Sequence, residues 1–464
     1  MKKISSNSFI RRKEKLRSFF DFSVLSINDN GRKLSFFGLF IPKLCELLFA
    51  KFTATLNTLL ISDYAEDAVG ATTAATQIIT IFNLLLGITS VGATILVSIE
   101  LGRGDQVRAG RIVATSLITI LVTSGAVSVL LLAFAEPLLT MLNLEGDALV
   151  YGTTYLRIRG GMIFLPTVSA FLGTMLICNG KAVHAMISGM LSNSMNLLGM
   201  LLLLRFRVIP ALSGTAAIAV ATELACLTSI IYCAIVFCKC RCPFVFRFDK
   251  SVFLKTSSLG AMGSISGFAY TFAITITVGF IGALGIVSLN AYSYTNSVVG
   301  YAALFSSVVS SCISVFVGRY AGRGDVISIK KIVRLMTAIS VAVNTVFSLI
   351  ILALREPLLS LFTNNGEILS MCLVIFAIDV LIEGLRGVVH VMEAAMNASR
   401  NVIITLISGI VSAWLAIVLF SYILGIVCGL GLVGFWIAFA LSELLKSVVY
   451  LVYFKSGRWT KTII

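Results

Sequence analysis

The chain repeats itself at a fixed offset of 220 residues. Gly102-Arg103-Gly104-Asp105 returns as Gly322-Arg323-Gly324-Asp325, and Glu136-Pro137-Leu138-Leu139 as Glu356-Pro357-Leu358-Leu359. Ile187-Ser188-Gly189 returns as Ile407-Ser408-Gly409, and Gly214 with Glu223-Leu224 as Gly434 with Glu443-Leu444. One ungapped shift matches four separated landmarks. Whatever one half folds into, the other must fold into as well.

Each half is built for a bilayer. Apolar residues make up 58% of the chain, charged ones 12%, and mean hydropathy is +1.01, beyond the range of water-soluble domains. Crossing the hydrocarbon takes about 20 helical residues, and stretches such as 112–134, 182–204 and 332–354 supply them. Hydropathy and the repeat together predict twelve helices, at 35–62, 68–99, 112–134, 150–178, 182–204, 211–238, 255–282, 287–318, 332–354, 368–396, 402–425 and 427–453. Six per half is an even number, so both halves enter the membrane from the same side. The expected fold is an all-α integral membrane protein. Its two parallel six-helix lobes are related by a pseudo-two-fold axis along the membrane normal, symmetry of the kind that lets two lobes rock about a shared site. The expected organisation is a basic tail at 1–34, an N-lobe at 35–238, a linker at 239–254, a C-lobe at 255–453 and a second tail at 454–464.

Charge sets the orientation. The first tail carries Lys2, Lys3, Arg11, Arg12, Lys13, Lys15, Arg17, Arg32 and Lys33, and the even-numbered loops add Arg103, Arg108, Arg111, Lys181, Lys239 and Arg400 among others. Two loops of the opposite side are acidic, with Asp63, Glu66 and Asp67, then Glu136, Glu145 and Asp147, while Arg205, Arg207 and Arg355 are too few to reverse the count. The excess of Lys and Arg on one side predicts both termini in the cytoplasm. It also accounts for the net charge of +15, because the charge lies in short loops facing anionic headgroups. Nucleic-acid binding is therefore excluded. A polar basic N-terminus does not read as a signal peptide. The ten cysteines read as small apolar residues or, at Cys238, Cys240 and Cys242, as reduced thiols near the membrane, with no metal site expected.

A charge inside the bilayer costs about 2.5–3.5 kcal/mol on insertion scales, so each one needs a reason. Lys43, Glu46, Lys51, Glu223 and Glu443 fall in predicted spans, but the dense group is on the tenth, 368–396. There Asp379, Glu383, Arg386, His390, Glu393 and Asn397 follow at spacings of 4, 3, 4, 3 and 4. At about 100° per residue, all six lie within about 40° of one line. The stripe runs about 27 Å, close to the hydrocarbon thickness. Its flanks, such as Leu381, Ile382, Val388 and Met392, are apolar. One face of this helix must therefore meet water, a solute or polar partners. The plainest reading is local pairing, Glu383 with Arg386 and His390 with Glu393. Against it, three carboxylates face one permanent cation, which leaves groups free to take up a proton or a sodium ion.

The repeat supplies an internal control. Shifted by 220 residues, the stripe becomes Arg159, Ile163, Pro166, Ala170, Gly173 and Ile177. The acids belong to one half only, as expected of a function added to one lobe. Glu223 and Glu443 occur in both halves and read as structural. His184 has no polar neighbours in sequence, and the paired Gly-Arg-Gly-Asp segments, with no strand before them, read as tight turns rather than phosphate cradles.

Twelve spans in two parallel halves resemble the multidrug and toxic compound extrusion (MATE) family. So do Leu101 to Asp105, Phe134 to Leu139, and Gly214-Thr215-Ala216-Ala217. The resemblance covers residues 35–455. It implies a V-shaped pair of lobes around a central cavity that opens alternately to either side, expelling organic, often cationic compounds in exchange for protons or sodium. It also implies site residues. The helix 10 acid of some members aligns with Glu383, one turn from Asp379. The helix 1 acid of many members falls at Asn57, which cannot titrate, with Glu46 the nearest carboxylate. The helix 7 glutamate of some members falls near Ala269, and the prolines usual at helices 7 and 11 are replaced near Met262 and Val402, leaving only Pro42.

The sequence is thus expected to encode an ion-coupled antiporter for amphipathic, cationic organic compounds, working as a monomer in a cytoplasmic or plasma membrane. Asp379 and Glu383 would couple to H⁺ or Na⁺, while Arg386, His390, Glu393, Asn57 and Glu46 would tune them or touch substrate. Tyr270, Tyr292, Tyr294 and Tyr301 are candidate faces for a cation. No cofactor beyond the coupling ion is expected, and no nucleophile motif or soluble catalytic domain suggests an enzyme. The alternative is a lipid-linked saccharide flippase on a related scaffold. It fits less well, because a pyrophosphate calls for a cationic cavity and the stripe is net acidic.

Overall fold

In the computed structural model of the chain, residues 22–29, 32–62, 66–141, 146–205, 214–360 and 366–463 are described. Lys2, Lys3, Arg11, Arg12, Lys13, Lys15, Arg17, Asp63, Glu145 and Arg207 lie outside them. Apart from helices, the described part has one hairpin, β1 (Ser26–Asp29) with β2 (Arg32–Ser35), and short connections, among them residues 242–249 without regular structure. The helices in chain order are α1 (Phe36–Ser62), α2 (Glu66–Arg103), α3 (Gln106–Thr140), α4 (Gly146–Gly161), α5 (Phe164–Cys178), α6 (Ala182–Met200) and α7 (Thr215–Lys239). Then follow α8 (Lys250–Ala283), α9 (Ile286–Gly322), α10 (Val326–Ala353), α11 (Arg355–Ser360), α12 (Gly366–Ala398), α13 (Val402–Val411) and α14 (Gly431–Ser456). Between α13 and α14 the chain widens into π-helical turns over Ser412–Phe420 and Tyr422–Val427.

Among the described residues, ten helices are long and apolar enough to cross a membrane, and eleven when α4 and α5 count as one bent span. That bend has a cause in the sequence. Pro166 has no N–H for the carbonyl of Met162, which instead accepts from Leu165 N, and the two helices diverge by 49°. Two further prolines act alike in the two halves. The backbone leaves helical geometry at Phe134, three residues before Pro137, and at Leu354, three before Pro357. These are repeat-equivalent positions.

The chain packs as two compact units. One is Gly38–Leu101 with Asp105–Ser264, and the other is Ile265–Ile464 with Gly102–Gly104 and the described residues up to Phe37. We refer to them as the amino-terminal and carboxy-terminal units. The core of the first is built on Ile79, Leu131, Leu156 and Ala219, and that of the second on Ile281, Phe376, Ile375 and Phe435. The repeat is visible in their contacts. A Cβ on Gly189 would stand 2.8 Å from Glu46 Cγ, and one on Gly409 would run into Ser266, so the same pair of helices crosses at the same glycine in each unit. Both Gly-Arg-Gly-Asp segments are tight turns, with φ of +84° at Gly104 and +70° at Gly324. Each ends in a helix cap, where Asp105 accepts from Arg108 N at 2.8 Å and Asp325 from Ser328 N at 3.0 Å.

The hairpin belongs to the carboxy-terminal unit. Ile27 and Leu34 pair across it and are buried, as are Val24 and Leu25 before it. Tyr320 donates to the Val24 carbonyl at 2.9 Å, and Arg323 to that of Asn28 at 2.8 Å.

Candidate functional site

The polar stripe falls on α12, and its setting begins with how closely α12 meets α10. A Cβ on Gly387 would stand 2.8 Å from Val341 N, so only glycine lets the two backbones approach there. Asn344 of α10 donates to the Glu383 carbonyl at 3.2 Å and to Ser306 Oγ of α9 at 2.5 Å. The backbone beneath Glu383 is thereby fixed to two neighbouring helices.

The six side chains meet three fates. Glu383 is fully buried, and one oxygen accepts from Arg386 at 2.5 Å while the other has no hydrogen-bond partner among the described residues. Asp379 is buried too, and accepts a long contact from Ser348 Oγ at 3.5 Å and another from the Trp436 indole. It lines a cavity of about 200 Å³ whose wall includes Tyr270, Tyr292, Trp436 and Phe439. The rings support each other, Tyr292 edge-on to Trp436 at 5.8 Å and Trp436 against Phe439 at 5.6 Å. Arg386 lines this cavity and also a larger one of about 430 Å³, together with His390 and Glu393. Asn397 instead accepts from Thr405 at 2.7 Å and lines neither. Of the four tyrosines singled out, Tyr270 and Tyr292 reach these walls, and Tyr294 and Tyr301 do not.

Glu46 and Asn57 belong to the amino-terminal unit. Lys43 donates to Glu46 at 2.8 Å, which gives that carboxylate a partner of its own. Asn57 donates to Asn196 Oδ1 at 2.6 Å, and Asn196 to Thr222 Oγ1 at 2.9 Å.

Sequence reasoning missed two residues. Lys446 of α14 lines the larger cavity, donates to Glu443 at 2.8 Å and stands 5.5 Å above the Tyr270 ring. Glu443, read from the repeat as structural, lines that cavity as well. The signal was available, since Glu443 and Lys446 are three apart within a span and the repeat puts Cys226 opposite Lys446. In the amino-terminal unit Glu223 is paired with Arg159 at 2.5 Å. Arg159 is the counterpart of Asp379, so the carboxy-terminal glutamate has lost that cation and takes Lys446 instead.

Chemically, the site holds a carboxylate locked to a guanidinium and a second, loosely held carboxylate against aromatic rings. A second charged cavity lies on the other side of Arg386. Such a site suits reversible binding of ions and of solutes with an apolar body and a charge. Among the described residues no group of His, Cys, Asp or Glu is arranged to hold a metal ion.

The comparisons agree with this architecture. The MatE family matches residues 42–202 and 264–423, one stretch in each repeat, and the chain belongs to that family of membrane transporters. The uncharacterized transporter YisQ of Bacillus subtilis is 23% identical over 436 residues, covering 92% of this chain and 95% of the relative. A probable multidrug resistance protein NorM of Thermotoga maritima is 22% identical over 433 residues, covering 91% and 92%. In fold, a Vibrio cholerae MATE transporter, VcmN, superposes with a TM-score of 0.84 at 14% identity, over 92% of this chain and 97% of that one. A Pyrococcus furiosus transporter of the MOP superfamily gives 0.82 at 17%, over 94% and 97%. For that protein, reverse polarity of the binding pocket has been taken to suggest a different function.

Proposed function

We propose that this chain is a secondary active antiporter that exports amphipathic, cationic organic compounds in exchange for H⁺ or Na⁺ by alternating access. The family supports the transport class, and NorM of Thermotoga maritima, described as a probable multidrug resistance protein, supports the kind of solute. The observation that carries the reading is Asp379, a buried carboxylate without a cation locked to it, held by Ser348 and the Trp436 indole on the wall of an aromatic-lined cavity. In this scheme Asp379 and Glu383 bind the coupling ion. Neutralising them weakens their hold on a cationic solute, so inward ion flow drives the solute out. Arg386 holds Glu383 in place, and His390 and Glu393 meet the solute in the larger cavity. Glu46 and Asn57 act in the other unit.

The same proposal takes α1 as one more span beside the eleven, giving twelve in two parallel lobes. It places the protein in the cytoplasmic or plasma membrane as a monomer, with both termini in the cytoplasm. The lobes are 35–238 and 255–453, joined by the linker 239–254 and flanked by the tails 1–34 and 454–464. The test is ion movement caused by substrate. Protein-containing vesicles loaded with a pH or sodium indicator should show ion flux when an organic cation is added, and empty vesicles should not. A chain that moves the cation with no ion flux in either assay contradicts the antiport reading.

A further inference from the structure

Lys446 lies within α14, a membrane-spanning helix, and is only 8% exposed. An ammonium there is costly and needs compensation. Its nearest partners are the Glu443 carboxylate at 2.8 Å and the face of Tyr270, whose centroid is 5.5 Å away, with the Glu393 carboxylate also acting on it across the cavity. A carboxylate beside an aromatic face is what an organic cation would bind to. Here the cation is the protein's own side chain. The scaffold does not require it, because the equivalent residue in the amino-terminal unit is Cys226 and the equivalent glutamate is satisfied by Arg159.

We infer that Lys446 is a tethered occupant of the larger cavity. Its ammonium fills the cation position formed by Glu443 and Tyr270, and so determines which solutes that cavity accepts. An organic monocation gains from Glu443 and Tyr270 only by displacing Lys446, which takes a buried ammonium off its paired carboxylate and leaves it only the more distant Glu393. The cavity therefore selects against such cations. This inference rests on the reading of the cavity as a site for organic cations.

The experiment is equilibrium binding of tetraphenylphosphonium to the purified full-length protein, as wild type, Lys446→Ala, Lys446→Arg and Lys446→Ala/Glu443→Gln. Lys446→Ala should bind at least about tenfold more tightly than wild type, the scale of one desolvated cation–aromatic and carboxylate contact. Lys446→Arg should match wild type, and the double variant should lose the gain. Because Lys446→Ala strips a buried carboxylate of its cation, its melting temperature is read with n-butylammonium present. That ion should stabilise the variant and leave wild type unchanged. Equal binding by wild type and Lys446→Ala, or a gain that persists in the double variant, overturns the inference while leaving the cation reading intact. A Lys446→Ala protein that butylammonium does not stabilise overturns it too. If, in addition, no variant binds tetraphenylphosphonium, the cation reading of the cavity falls with it.

Discussion

The two units share a scaffold and differ in where their buried charge goes. In the amino-terminal unit Arg159 and Glu223 face each other at 2.5 Å, and the pair is closed. At the same repeat positions the carboxy-terminal unit has Asp379 and Glu443. With the guanidinium replaced by a carboxylate, two acids had to find other arrangements. Glu443 pairs with Lys446, and Asp379 is held by Ser348 and the Trp436 indole rather than by a cation locked to it. A further pair, Glu383 with Arg386, occupies positions that are Ile163 and Pro166 in the first unit. One unit spends its buried charge on holding helices together, and the other exposes it to cavities. Symmetric packing thus coexists with asymmetric chemistry: the Gly189 and Gly409 crossings and the Asp105 and Asp325 caps recur in both units, while the residues opposite Asp379, Glu383, Arg386 and Lys446 do not.

The sharpest way to break this comparison is to remove one member of a charge pair in each unit. Arg159→Met leaves Glu223 buried and alone, and should cost about 3–5 kcal/mol of stability. Arg159→Met/Glu223→Met, which removes both charges, should recover most of that loss. Asp379→Asn keeps an oxygen that can accept from Ser348 and Trp436 and removes no locked ion pair, so its cost should stay within about 1 kcal/mol. Chemical denaturation in detergent reads all three. An Asp379→Asn protein as unstable as Arg159→Met would mean that both units use their charges structurally.

Packing predicts a smaller effect. Gly409→Ala pushes a Cβ into Ser266 at the conserved crossing, and overpacking of that kind costs about 1–3 kcal/mol. Gly173→Ala, with nothing within 4 Å of the added carbon, should stabilise its helix by up to about 1 kcal/mol. Melting temperatures moving in opposite directions would support the assignment of Gly409 to a contact and Gly173 to open space. The smallest effect belongs to the caps. Asp105→Ala and Asp325→Ala should each cost about 0.5–2 kcal/mol, and by equal amounts, since the two turns are built alike. Unequal losses would show that the likeness of the turns is only geometric.

Much of this was legible in the sequence. The 220-residue offset foretold repeat-equivalent kinks, caps and crossings, and the spacing on the tenth predicted span placed six polar groups on one face of α12. The break at Met162 and Ile163 escaped because hydropathy runs through Pro166 without a change. The π-helical turns after Val411 escaped because local composition does not distinguish them from an α-helix. Lys446 escaped for a different reason. Lys446 stands alone near the end of the last predicted span, and the repeat makes its neighbour Glu443 look structural by analogy with Glu223. The analogy failed because the partner, not the glutamate, had changed between halves, from Arg159 to Asp379.

In the proposed scheme, the charge unique to the carboxy-terminal unit couples ion movement to solute movement. Its most direct test is uptake of a fluorescent organic cation into proteoliposomes under an imposed pH or sodium gradient, for wild type and Asp379→Asn/Glu383→Gln. One gradient should drive uptake by wild type, while the double variant should bind the cation more weakly and no longer respond to the gradient. Gradient-driven uptake that survives loss of both carboxylates would contradict it.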